Sequence, residues 1–322
     1  MVLNLCTENN VGLYLTGGLG NQLFQFAAAI SVSEGKEIIC YEKIGSPRTN
    51  YNGEPELFSL NLRKIAKINR KYEDNFFFRK ASGYVLRSSI SPRKFEKSKF
   101  VFQAIRFVSM IIQSISARKL VHPITIPGVG YHKIQFSKLL SWFSTPLLIG
   151  YFQSYIWPEL AKNELCQLEV LVEGPNLKKL RNEARLKRPI VIHVRRGDYK
   201  LETTFGLLGE KYYREALKMI DFEFASHPIW IFSDDEKEAR DIFKWLPDDR
   251  ALFISDVDRD SAASIMAMRL GCAYVIANST FSWWGAFLSE VDFPFVIAPD
   301  PWFIGQDEPL NLIPPNWIRI KY

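Results

Sequence analysis

Apolar positions along this chain follow two rhythms, short β-branched runs and longer stretches with a helical period, and the two alternate. Val11–Leu15 reads as a strand, Asn21–Val32 as a helix and Glu37–Tyr41 as a second strand. The section that follows is mostly helical, broken at Pro92 and by a loop from Pro123 to Gly130. A helical stretch runs from 158 to 188, interrupted at Gly174-Pro175. Beyond it, strands are predicted at Ile190–Val194, Ile229–Phe232, Ala251–Ile254, Tyr274–Ala277 and Phe295–Ala298. Helices are predicted between them at Glu210–Met219, Glu236–Trp245, Ser261–Leu270 and Trp283–Leu288. Strands alternating with helices of crossover length argue for a parallel sheet in an α/β fold.

At 322 residues the chain exceeds what one core usually supports, and 47% hydrophobic residues can fill two. The expected organisation is an N-terminal lobe over 1–157 with a basic helical insert, linker helices over 158–188, a C-terminal lobe over 189–300, and a tail, 301–322, packing back on the lobes. No internal repeat or low-complexity tract interrupts this.

Chemistry concentrates where the run Ile190–Val194 ends in His193, Arg195, Arg196, Gly197 and Asp198. Ligands of open α/β sheets collect at the carboxyl ends of strands. Two arginine forks there suit a diphosphate and could stabilise a departing anion without a metal. The bland alternative is a surface arginine pair bridged to Asp198; placement at a buried strand end beside His193 favours the ligand.

A second glycine-rich site follows the first strand. Gly18, Gly20, Asn21 and Gln22 open a helix, and Glu42 ends the next strand, as in a dinucleotide fingerprint. Leu23 stands where that fingerprint needs a small residue, so an NAD-dependent oxidoreductase is the weaker alternative. Asn21 and Gln22 instead offer amides to a phosphate or sugar hydroxyl. Near the end, Asn278, Ser279, Thr280, Phe281 and Ser282 bring three hydroxyls to a helix start, more than one cap requires. Trp283 and Trp284 read as core.

Charge is divided. Residues 61–140 hold 17 Lys and Arg against 3 Asp and Glu, a net +14, whereas the rest of the chain holds 24 against 32, a net −8. Within the basic section an apolar helix over Phe100–Ile115 is flanked by Arg93, Lys94, Lys97, Lys99, Arg118 and Lys119, a pattern that attracts an anionic membrane surface. The competing expectation is a buried helix, apolar on most sides. No nucleic-acid motif accompanies the charge. Four scattered cysteines suggest reduced thiols in a cytosol, and the polar start reads as lacking a signal peptide. Asp234-Asp235 and Asp256–Asp260 superficially resemble metal-binding clusters, but the first pair sits where a helix cap belongs, and no metal is expected.

The segment His193–Tyr199 resembles the signature of bacterial α1,2-fucosyltransferases, glycosyltransferase family 11, and more distantly the arginine motif of the core α1,6- and protein O-fucosyltransferases. Gly17–Gln25, Gly150–Ser154 and Ala277–Gly285 match in the family's order; residues 60–145 match weakly. The resemblance implies a GT-B type fold, two Rossmann-like lobes facing each other across a cleft, the first on the acceptor side and the second holding GDP-fucose. It implies inverting transfer of L-fucose from GDP-β-L-fucose to O2 of a galactose, with no cofactor and a cytoplasmic location, peripheral at the inner membrane if the basic helix touches lipid. Asn21 would face the donor, Arg195 would hold the β-phosphate, Arg196 would orient the site, and Asp198 would brace the guanidiniums. His193 would contact the nucleotide, and Asp198 or Glu202 would be the candidate general base, unless a weakly assisted, oxocarbenium-like path leaves that role empty. The family's aspartate about 14 residues before Asn278 is replaced by Ser264, leaving Asp258 or Asp260 as candidates to read guanine. The remaining alternative is a nucleotide-sugar-binding protein without turnover.

Overall fold

The computed structural model describes residues 10–42, 47–50, 52–72, 75–90, 99–117, 121–124, 145–200, 205–305, 308–309 and 311–322. The predicted break at Pro92, the loop from 125 to 130, the flanking Arg93, Lys94, Lys97, Arg118 and Lys119, and Glu202 lie outside the described residues. The chain forms two compact units. The first comprises Met1–Thr49, Gly53–Leu168 and Pro309–Leu312; the second comprises Asn50–Asn52, Glu169–Glu308 and Ile313–Tyr322. The division falls inside the stretch expected to link the lobes. Helices Ile156–Leu160 and Lys162–Leu165 belong to the first unit and helix Pro175–Lys187 to the second. The tail is divided too, with 309–312 in the first unit and the final strand in the second.

Each unit is built on a parallel sheet. The first has the order β3-β2-β1-β5-β4, from β1 (Val11–Tyr14), β2 (Ile38–Glu42), β3 (Ile68–Tyr72), β4 (Val121–Ile124) and β5 (Thr145–Leu148). The second has the order β11-β10-β9-β6-β7-β8, from β6 (Ile190–Val194), β7 (Ile229–Ser233), β8 (Ala251–Ile254), β9 (Ala273–Val275), β10 (Phe295–Asp300) and β11 (Ile318–Lys321). Central strands β1, β6, β7 and β9 are buried along their length, as expected of parallel strands covered on both faces.

Ile190, Ile192 and Val194 of β6 share one core with Tyr212, Tyr213, Ala216 and Ile220 of the helix Glu210–Phe224. Each such aliphatic side chain contributes about 1.5–3 kcal/mol on burial, so this strand is fixed by its own residues before any site chemistry is added. Trp283 and Trp284 are fully buried with ring centroids 5.2 Å apart, as core residues.

Candidate active site

In the second sheet the chain runs from β6 outward through β7 and β8, then returns to the other side of β6 as β9. Crossover direction therefore reverses between β6 and β9, and ligands of such sheets gather at the carboxyl ends of the strands flanking that reversal. Those ends carry Arg195-Arg196 and Asn278–Ser282, so the topology brings together two segments separated by more than 80 positions in sequence. A single helix fastens both. Tyr213 Oη donates to the His193 carbonyl (3.0 Å) and Tyr212 Oη to the Ile276 carbonyl (2.8 Å). Adjacent helical residues diverge by about 100°, which lets one Tyr-Tyr step reach two neighbouring strands.

The two arginines divide their tasks. Arg195 is at the strand end, with Nη1 3.0 Å from Asp234 Oδ2 and its guanidinium carbon 5.4 Å from the centre of the Tyr199 ring. Arg196 is buried. Its Nε lies 3.1 Å from Glu238 Oε2, and it donates to the carbonyls of Arg195 and Leu208. Arg196 is thus a strut whose fork is committed to the protein, so the expected double fork reduces to Arg195. Asp234 also accepts from the Arg196 backbone N–H (2.8 Å), and a Cβ on Gly197 would lie 2.5 Å from its Oδ2. The space that Gly197 opens is filled by this carboxylate. Asp198 starts a short turn, Asp198–Lys200, and its side chain lies outside the described ones.

His193 is buried 5.9 Å from the Phe281 ring, centre to centre. Burial, and secondarily the charge of Arg195, hold its pKa down at about 3, so the imidazole is neutral and a poor proton acceptor. A general base needs a pKa near working pH, which His193 lacks.

The Asn278–Ser282 segment is committed to the backbone more than its hydroxyl count suggests. Asn278 Nδ2 donates to the carbonyls of Gly206 (2.9 Å) and Trp302 (3.3 Å). Ser279 caps the helix Thr280–Phe287 by accepting from the Phe281 N–H (3.3 Å). Ser282 is fully buried and donates to the carbonyls of Ala277 (3.3 Å) and Ser279 (3.2 Å). Asn278 and Ser282, both expected at the donor, therefore shape the segment from behind, leaving Thr280 and Phe281 as its partly exposed members. Tyr199 closes the gap between the strand ends, donating to the Asn278 carbonyl (3.0 Å) and stacking on Phe205 at 4.2 Å.

The aspartates proposed as guanine readers are caps. Asp258 accepts from the N–H groups of Asn176 (3.0 Å) and Leu177 (2.9 Å), opening helix Pro175–Lys187, and Asp260 caps Ser261–Met268 through Ala262 (2.9 Å). Ser264 donates to the Asp260 carbonyl (3.2 Å). Asp235 caps Glu236–Ile242 and meets Lys200 at 3.0 Å.

In the first unit the same reversal occurs between β1 and β5, and it brings the glycine turn to Gly150–Ser154. Gln153 Nε2 donates to Asn21 Oδ1 (2.8 Å), which orients the Asn21 amide. Phe152, just before it, is held at φ 54°, a left-handed conformation that costs a non-glycine residue about 1–3 kcal/mol and that often marks functional sites. Gly17 at φ 71° meets its own requirement: a Cβ there would lie 2.7 Å from Asn21 Nδ2.

Gln22 is fully buried, donating to the carbonyls of Gly17 (2.8 Å) and Arg48 (3.0 Å) and accepting from the Leu57 N–H (2.9 Å). Its amide is a clamp, unavailable to the sugar or phosphate it was expected to meet. The helix start after Gly18 is occupied as well, because buried Glu56 accepts from the Leu19 N–H (2.7 Å). A dinucleotide site would set its pyrophosphate there and its ribose on Glu42, yet Glu42 is paired with Arg70. Both positions of the oxidoreductase reading are filled by the protein itself. Asp234, Glu56, Gln153 and the Tyr212-Tyr213 step have no site role in the sequence reading; two of them carry a signal, Asp234 as the first residue after an apolar strand and Gln153 as a member of the matching Gly150–Ser154 segment.

The profile of glycosyl transferase family 11 matches residues 106–320. The chain is 26% identical to an Escherichia coli protein named α-1,2-colitosyltransferase, over 95% of this chain and 97% of that one. It is also 26% identical to the E. coli O-antigen biosynthesis glycosyltransferase WbnK, over 95% and 99%. Among solved structures, the α-1,6-fucosyltransferase NodZ soaked with GDP-fucose aligns with a TM-score of 0.49 at 11% identity, over 92% of this chain and 96% of that one. The profile spans the Arg195 strand end and the Asn278 helix start, the segments that form the second unit's site, and on that match over two thirds of the chain the protein belongs to glycosyl transferase family 11.

Proposed function

We propose that the protein transfers L-fucose from GDP-β-L-fucose to O2 of a galactose residue, with inversion, during assembly of an O-antigen or related polysaccharide. The observation that carries this reading is Arg195, presented at the reversal point of a parallel sheet and set in place by Asp234. A planar fork there binds the β-phosphate and neutralises the charge that develops on departing GDP. Arg196 positions the strand end through Glu238, and Thr280 and Phe281 face the donor at the start of their helix. On the first unit, Asn21, oriented by Gln153, contacts the sugar. His193 contacts the nucleotide as a neutral group, which leaves Asp198 or Glu202 to accept the acceptor proton. Transfer proceeds without a divalent ion, since the leaving group meets a guanidinium. The acceptor is a galactose-terminated glycan, presented in lipid-linked form at an anionic inner-leaflet surface to which the protein binds peripherally.

A second reading keeps the α1,2 linkage and replaces fucose by colitose, favoured by the name of the 26% identical relative. Measuring GDP release from GDP-fucose and GDP-colitose across a panel of soluble galactosides tests both. Galactoside-dependent release from GDP-fucose is expected; release only from GDP-colitose selects the second reading, and donor binding without release from either would make this a nucleotide-sugar-binding protein.

A further inference from the structure

The helix Lys99–Ala117 buries the opposite residues from those a core helix buries. Ser109 and Gln113 are its buried side chains among those described, and Gln113 Nε2 donates to Ser82 Oγ (2.9 Å) on the neighbouring helix Phe76–Ile90. Its outward positions carry Phe107 (60% exposed), Val108 (53%), Ile111 (41%) and Ile115 (73%). Spacings of three, four and seven residues place these four on one stripe. Among the described residues, the expectation of a buried helix is thus corrected: the exposed side chains are the apolar ones. Phe76 and Phe77 of the neighbouring helix are exposed as well. Among the described residues, no helix is long and apolar enough to cross a membrane, so the stripe suits a surface on which it can lie.

Charge selects which surface. Residues 61–140 carry a net +14, with basic residues on both sides of the helix in sequence. A second copy docking through the same face would set that charge against itself, as any two-fold contact does. An anionic bilayer complements it.

We propose that helix Lys99–Ala117 is a membrane-surface anchor that lays Phe107, Val108, Ile111 and Ile115 into the headgroup–acyl boundary of an anionic bilayer. This deepens the peripheral-membrane part of the proposed function and rests on it; because anchoring and sugar transfer are read separately, either can fail alone. The test is co-sedimentation of the full chain with phosphatidylglycerol-containing vesicles and with pure phosphatidylcholine vesicles, alongside turnover on a soluble galactoside and the sedimentation coefficient without lipid. Wild-type protein should pellet with the anionic vesicles only, and less as salt rises. Phe107→Ser and Ile111→Ser should each weaken binding by roughly tenfold or more while soluble turnover stays at the wild-type level. Because both positions are exposed, the variants should fold, and equal thermal unfolding midpoints would establish that. Wild-type protein that stays in the supernatant at every anionic lipid fraction would overturn the anchor. So would unchanged binding in the variants, or a lipid-free dimer that the same substitutions dissociate. Loss of soluble turnover in the wild type would refute the transfer reading and leave the anchor standing.

Discussion

The two units present the same structural opportunity and differ in what they bring to it. Each sheet reverses direction beside a central strand, and each strand there is followed, three residues past its end, by a glycine and then a helix or turn that could receive an anion. In the first unit the protein supplies its own anion, the Glu56 carboxylate on the Leu19 N–H, and Gln22 is consumed in holding the loop. In the second, the strand end presents a cation, Arg195, with Asp234 as its partner at 3.0 Å. A glycine turn before a helix is therefore not enough to mark a phosphate site: a carboxylate of the fold sits at both turns, and in the second it lies against the guanidinium of Arg195. The unit whose strand end carries a guanidinium, a planar fork suited to phosphate, is the one to expect at the diphosphate.

The largest effect should come from the cation. Arg195→Ala should lower kcat/KM for GDP-fucose by roughly a hundredfold or more, the usual result of losing one preorganised charge-stabilising donor. Arg195→Lys should recover little, because a point charge cannot replace the fork. Steady-state GDP release separates these outcomes, and a lysine variant near the wild-type rate would remove the asymmetry between the two units.

Acid stability should distinguish the units next. His193 titrates at about 3 in the folded protein against the usual 6.5, because burial and Arg195 disfavour its charged form. Below pH 6.5 the unfolded chain takes up a proton that the folded one refuses. Its contribution is therefore intact above about 6.5 and is lost toward pH 3, at about 1.4 kcal/mol per pH unit. Denaturant titrations at pH 7 and 5 should show a steeper loss for wild type than for His193→Asn. Equal losses would mean that the imidazole is not held neutral.

A smaller change is expected at Glu56. Glu56→Ala should destabilise the first unit by about 1–3 kcal/mol, the range for a lost hydrogen bond to a charged group, with donor KM unchanged. Tighter GDP binding in that variant would show that the first turn is a phosphate site held shut by its own carboxylate, breaking the contrast.

Legibility in the sequence followed burial. In the second unit β6 and β8 fall on their predicted residues, since apolar runs bounded by helices leave little choice of register. The edges were harder. Ile68–Tyr72 reads Ile-Asn-Arg-Lys-Tyr, with no apolar run to separate it from the helical section predicted there, yet it forms β3, where charge protects a sheet edge. Val121–Ile124 contains Pro123, which an edge strand tolerates and a sequence reading counts as a break. Ile318–Lys321, which forms β11, alternates apolar and basic residues with a strand period, the same signal that marks a strand elsewhere. At the site, Arg195 and His193 were readable because their chemistry is local. Asp234 and Glu56 were not, because their roles depend on which backbone N–H or guanidinium the fold carries to them from 38 and 37 positions away.

The central claim is that a guanidinium fork, and not a divalent ion, carries the charge of the departing diphosphate. It is tested most directly by the initial rate of galactoside-dependent GDP release from GDP-fucose after exhaustive chelation with EDTA. The account predicts a rate close to that of the untreated protein, with at most a modest stimulation when magnesium is returned. A rate that falls to background in EDTA and returns with manganese would contradict it and assign the leaving-group charge to a metal.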